Sequence, residues 1–136
     1  MKLRTAILVF GLIIISMGDV YGADWKLFSS SIICDHYYDR QSITSSSKKV
    51  VRLWAKRVFS EKGVADMVKD FGEKYKVLNH SIELFELNCI EKKFSIIKSI
   101  YRSNDGVVIS SVSGESSGDD IPPESVVEFL YKEICK

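Results

Sequence analysis

The sequence predicts an α+β domain, a mainly antiparallel β-sheet of five or six strands with two helices. Three observations carry that prediction. Segments with apolar residues at alternate positions follow one another through short polar turns, as antiparallel neighbours do. Only two stretches change to helical spacing, one after Phe59 and one ending near Cys135. The tetrapeptide Ser103-Asn104-Asp105-Gly106 reads as a hairpin turn, because Asp-Gly tolerates the positive φ angles such a turn demands.

Trp25 to Ser30 and Ile32 to Tyr38 read as two short strands or one bent strand, ended by a turn over Asp39 to Ser42. Ser45 to Ser47 form a polar link. From Val50 to Phe59 the alternation is clear: Val51, Leu53, Ala55 and Phe59 share one face, with Arg52, Trp54, Lys56 and Val58 on the other. Val64, Met67, Val68 and Phe71 then recur at helical spacing, which predicts a helix over Glu61 to Tyr75. Alternation returns from Ser81 to Cys89. It continues from Phe94 to Arg102, where Phe94, Ile96, Lys98 and Ile100 are expected on one face. Val107 to Val112 is the returning strand of the hairpin. A polar loop from Ser113 to Ile121 leads into Pro122-Pro123. Pro123 is expected in the first turn of a last helix, whose apolar stripe is Val126, Val127, Leu130 and Ile134.

The N-terminus reads as an address. Lys2 and Arg4 precede an apolar run from Ala6 to Met17, which Gly18 and Asp19 end. Val20 and Gly22 then supply the small residues a signal peptidase recognises. Residues 1–22 are therefore expected to be a signal peptide, with cleavage after Ala23 the alternative, and 23–136 the exported domain. The run is shorter than the about 20 apolar residues of a membrane span, so no stable span is expected after cleavage. An uncleaved N-terminal anchor is the rival reading.

The 136 residues are 46% apolar and 27% charged, a composition that excludes disorder and allows one domain. The formal charge is +1, from 19 basic and 18 acidic side chains, and removing residues 1–22 leaves the two signs balanced. A neutral domain lacks the cationic field that binding to phosphate backbones needs, so no nucleic-acid partner is expected.

Export makes the cysteines informative. Cys34, Cys89 and Cys135 are an odd set, so three pairings are open, each leaving one thiol. Cys89 with Cys135 is favoured, because it would tie the end of a strand to the end of the last helix. That bond closes a loop worth about 4 kcal/mol in the chain-entropy account. Cys34, in an apolar strand, reads first as a buried thiol and second as the link of a homodimer.

Catalytic patterns fail on their context. Gly114-Glu115-Ser116-Ser117-Gly118 matches the nucleophile-elbow pattern, but two aspartates and two prolines follow where a helix is needed, and both histidines precede the serine. His36 and His80 lie in separate segments with no metal-ligand spacing. Asp35, His36 and Asp39 read as surface polar residues near a turn. Glu115, Asp119, Asp120 and Glu124 lack the calcium-loop spacing, and no phosphate loop or dinucleotide fingerprint occurs, so no cofactor is expected. Asn79-His80-Ser81 is a glycosylation sequon. Lys48, Lys49, Arg52, Lys56 and Arg57 form a basic segment, in which Arg52 and Lys56 share a strand face with Trp54. Arg and Trp are the side chains that anchor interfaces, so this face is a candidate binding strip.

Several features together resemble the surface-adhesin protein E family of Gram-negative bacteria. They are the segment Tyr37-Tyr38-Asp39-Arg40-Gln41-Ser42-Ile43, the strand Val51-Arg52-Leu53-Trp54, the mid-chain Cys89, and the closing Ile121-Pro122-Pro123-Glu124-Ser125 with Ile134-Cys135. The resemblance implies an antiparallel sheet flanked by helices, a disulfide pinning the C-terminal helix, an envelope location, and binding of host matrix or serum proteins. It also implies self-association. The chain departs from the family's best-known adhesin in lacking a lipid-attachment cysteine and in having Cys34. The expectation is an exported, non-enzymatic binding protein with a protein partner, in the periplasm or on the outer surface. Its patch would be Arg52, Trp54 and Lys56, with Tyr37 or Tyr38. The alternative is a periplasmic accessory or inhibitory domain acting on an endogenous envelope protein.

Overall fold

The structure, a computed structural model, describes residues 23–114 and 118–136; the expected signal peptide and the Glu115–Ser117 part of the elbow-like motif lie outside the described residues. Six strands form the main sheet, and every pairing is antiparallel: β1 (Trp25–Ser30), β2 (Cys34–Asp39), β4 (Val50–Phe59), β5 (Leu78–Asn88), β6 (Lys93–Ser103) and β7 (Val108–Ser113), side by side in that order. Two short strands join at the margins, β3 (Thr44–Ser45) on β4 and β8 (Asp119–Asp120) on β6. The polar loop after β7 thus contributes a strand of its own.

The register sorts side chains onto two faces. Leu53 stands opposite Phe85, Val51 opposite Leu87 and Ala55 opposite both Tyr38 and Glu83. This covered face holds the core of Tyr38, Val51, Leu53, Ala55, Phe85 and Leu87, closed by Leu130 of the last helix, α2 (Val126–Ile134). Leu53 and Leu87 are 0% exposed and Leu130 is 1% exposed. Burying each contributes about 1.5–3 kcal/mol, and of the expected stripe Val126, Val127, Leu130 and Ile134, the last three pack α2 onto the core.

A bulge changes the reading of β6. Leu84 pairs with Lys98 but Phe85 pairs with Ile96, so Ile97 is an extra residue and the alternation changes face there. Phe94 and Ile96 pack on the core, whereas Lys98 and Ile100 stand opposite Leu84 and Ile82 on the other side of the sheet. The four residues therefore do not share one face, as unbroken alternation would require. A shift in β1 between Leu27 and Ser29 acts likewise: Leu27 pairs with Tyr37, while the Phe28 ring turns to Tyr38 and His36.

Both helix boundaries differ from expectation. The first helix, α1 (Glu61–Phe71), starts at Ser60, whose hydroxyl accepts from the Gly63 amide. It ends at Gly72, whose φ of 111° suits glycine, and a 3₁₀ turn over Glu73–Val77 follows in place of a continuous helix to Tyr75. Tyr75 is buried against Tyr101 of β6 and hydrogen-bonds Ser110 of β7 at 2.8 Å. Pro123 lies before α2 rather than in its first turn. Glu124 has a φ of 61°, and Ser125 is the cap, accepting from the Glu128 amide at 3.1 Å.

The Cys89–Cys135 disulfide links the end of β5 to the end of α2, with Cα atoms 5.4 Å apart. The Tyr131 hydroxyl donates to the Cys89 carbonyl at 2.7 Å and makes a second tie. Cys34 is a free, buried thiol.

Candidate functional site

The face opposite α2 carries the candidate patch. Arg52, Trp54 and Lys56 point to it from β4, because their neighbours Val51, Leu53 and Ala55 point into the core. Cross-strand register adds Tyr37 opposite Lys56, Ile82 opposite Lys56 and Leu84 opposite Trp54. The Lys56 ammonium lies 4.5 Å from the centre of the Trp25 ring and 5.4 Å from that of Tyr37. Cation–π contacts of this kind contribute about 0.5–1 kcal/mol at exposed sites. Burial among these rings lowers the Lys56 pKa from its usual value. Arg52 pairs with Glu86 across the strands at 2.8 Å. Leu27 extends the strip on the edge strand and is 49% exposed. Among the described residues, the ring contacts and ion pairs of Lys56, Tyr37 and Arg52 all lie within the sheet.

Tyr38 does not belong with them. It is 5% exposed on the covered face, and its hydroxyl donates to Glu133 of α2 at 3.1 Å. Successive residues of a strand point to opposite faces, so of the two tyrosines only Tyr37 joins the strip.

The covered face has a polar end beyond the apolar core. Arg57 Nε lies 2.7 Å from Glu83 Oε1 and donates to Ser81 Oγ at 3.1 Å, while its Nη2 donates to the Tyr101 hydroxyl at 3.1 Å. Burial pulls the Arg57 pKa down, but Glu83 and Tyr101 outweigh it and hold it above its usual value. Cys34 Sγ is 3.2 Å from His36 Nε2. Burial, then the Arg57 charge, lowers the His36 pKa. Phe28, His36, Arg57, Glu83, Val127 and Leu130 line a cavity of ≈ 170 Å³ beside the start of α2. His36 and Asp39 are thus not the surface groups expected. Asp39 is 7% exposed and its carboxylate accepts from the amides of Asp24 and Gln41. In the sequon, Ser81 is fully buried.

The family model for surface-adhesin protein E matches residues 25–136. The chain belongs to this family. The match takes in every strand and both helices, so the paired faces and the disulfide-tied helix are features of a member of that family. The family's description is that of a surface adhesin. No curated protein and no solved structure matches the chain significantly. Among the described residues, no helix is long and apolar enough to cross a membrane.

Trp25, His80 and Arg102 also reach the open face, and the sequence reading placed none of them in the strip. His80 stands opposite both Val58 and Arg102. Strand alternation places a residue on a face, but only the pairing register shows which residues of other strands stand beside it.

Proposed function

We propose that this chain is an exported, non-enzymatic binding protein of the bacterial envelope, adhesin-like, which engages extracellular or host matrix proteins through the open face of its sheet. One observation carries the reading: Lys56 is held between the Trp25 and Tyr37 rings, beside Trp54 and Arg52, on the face that α2 leaves free. Aromatic and arginine side chains in one partly desolvated strip are the composition of interface hot spots. Membership of a family of surface adhesins supports the same reading.

The test is binding of the oxidised protein, residues 23–136, to a panel of immobilised matrix proteins, with Trp54→Ala and Arg52→Ala beside the parent. Both variants should keep the parent's melting temperature and lose affinity by about tenfold or more, the scale of a hot-spot truncation. Unchanged affinity removes the patch. Protease treatment of intact cells tests the location: digestion with a periplasmic control protected fits external adhesion. Protection until the outer membrane is broken assigns the face to an endogenous periplasmic partner instead.

A further inference from the structure

Several basic side chains of the sheet and of the turn after β2 have an acid of their own. Arg40 pairs with Asp24 at 2.8 Å, Arg52 with Glu86 at 2.8 Å, Arg57 with Glu83 at 2.7 Å and Lys26 with Glu133 at 2.9 Å. Among the described residues of the open face, Lys56, His80, Lys93, Lys98 and Arg102 do not, and of these Lys56, His80 and Arg102 adjoin one another. Among the described residues, Lys56, His80 and Arg102 make no ion pair. Lys56 meets only aromatic rings, and His80 Nδ1 shares a 2.8 Å hydrogen bond with its neighbour Asn79. Arg102 Nε is buried with no hydrogen-bond partner among the described residues. Leaving a donor of an ionised group unmatched is costly, and it is rarely tolerated without a reason.

The three lie together. His80 of β5 is opposite Arg102 of β6, and Lys56 of β4 is one diagonal step from His80. Burial lowers the His80 pKa, and the charges of Lys56 and Arg102 lower it further. The other charged groups in register are Asp35 of β2, opposite Val58 and outside the ion pairs of the described residues, Lys98 of β6, opposite Leu84, and Glu86, already held by Arg52. Among those groups the field at His80 is positive.

We propose that what docks on this face is an extended acidic protein segment, whose carboxylates meet Lys56, His80 and Arg102. The proposal rests on the open face being the binding surface. Spacing favours a segment over one small anion. Neighbouring strands lie about 4.8 Å apart, so cations on three strands spread over about 10 Å. An extended chain repeats the side chains of one face about every 7 Å, and two or three acidic residues at alternate positions would cover the set. Ile82 and Ile100, between the charges, offer apolar contact to the residues' aliphatic stems.

The probe is a capped peptide of alternating Glu and Ser, titrated into the isotope-labelled oxidised protein, residues 23–136. Amide shifts should concentrate on β4, β5 and β6. Lys56→Gln and Arg102→Gln should each weaken binding about fivefold or more, and raising salt from about 20 to 200 mM should weaken it further. The His80 pKa should rise on saturation, because a carboxylate stabilises the imidazolium. A purely structural role for Arg102 would not move it. Shifts elsewhere on the protein, or unchanged peptide affinity in a folded Lys56→Gln variant, would overturn the proposal. So would tighter binding of a sulfated oligosaccharide through the same residues, which would make this a glycan face. If Trp54→Ala abolishes matrix-protein binding while Lys56→Gln and Arg102→Gln preserve it, the binding face stands and its acidic partner does not.

Discussion

Removing the Cys89–Cys135 bond should cost the domain about 4 kcal/mol. The figure follows from the sequence separation of 46 residues: closing a loop of that size removes about 13–14 cal/mol/K of entropy from the unfolded chain. That is a large part of the about 5–15 kcal/mol by which a domain is stable at all. The perturbation is the double substitution Cys89→Ser with Cys135→Ser, compared with the oxidised parent in urea. With a denaturant slope of about 1.5 kcal/mol/M, the midpoint should fall by about 2–3 M. Hydrogen exchange should locate the loss. The α2 amides should lose protection together with those of β4 and β5, because Leu130 is inserted among Leu53, Phe85 and Leu87. Two results would refute the reasoning. A midpoint shift below about 0.5 M would mean the bond does not restrain the unfolded chain. Early loss of α2 alone, with the sheet transition unchanged, would mean the helix is not part of one cooperative core.

Four further outcomes are expected. Glu83→Gln should destabilise by about 1–3 kcal/mol in thermal or urea unfolding, because it leaves the partly buried Arg57 charge with only neutral partners. Hydrogen bonds from Lys26, then Tyr38, hold the Glu133 pKa down at about 2, and burial holds those of both histidines below 6.5. The folded state therefore binds fewer protons than the unfolded. The stability these groups contribute is present at neutral pH, and falls through the histidine range and again between about pH 4.5 and 2 in unfolding curves taken stepwise in pH. Gly63→Ala should destabilise by about 1–3 kcal/mol, the reverse of the usual gain in a helix, because its Cβ would overlap the Ile33 carbonyl. Tyr38→Ala should cost about 3–5 kcal/mol by opening the core, whereas Tyr37→Ala should cost about 1 kcal/mol or less, and differential scanning calorimetry of the pair reads the difference.

The fold was legible wherever a strand is regular in itself. Val51, Leu53 and Ala55 point inward as their alternation says, because β4 has no bulge in its pairing with β5. The misreading of β6 has one cause. The extra residue at Ile97 arises from how β6 pairs with β5, and neither Ile97 nor its neighbours carry a local mark of it. The helix ends were different, since their signals were present. Gly72 sits where a helix terminator belongs, and Ser125 with Glu128 has the spacing of a capping box. For the candidate strip, the shared face of Arg52, Trp54 and Lys56 was readable from one strand. Trp25, His80 and Arg102 were not, because their nearness to Lys56 is made by three different strand pairings.

The two faces of this sheet solve different problems, and their charges show it. On the covered face the partly buried Arg57 has Glu83, Ser81 and Tyr101 around it, so that its desolvation is compensated within the fold. On the open face Arg102 Nε is buried without a hydrogen-bond partner among the described residues, and Lys56 is partly desolvated with aromatic rings but no acid beside it. A fold selected for stability alone gains little from that arrangement, since the ring contacts of Lys56 are weak and a polar, solvated residue at either position would serve the strand nearly as well. The same imbalance favours association, because a partner that brings carboxylates replaces interactions the free protein lacks, while the helix-covered core is already complete. On the proposed reading stability and recognition are separable by face: substitutions among Tyr38, Leu53 and Leu130 should act on folding, and those among Lys56, His80 and Arg102 on binding.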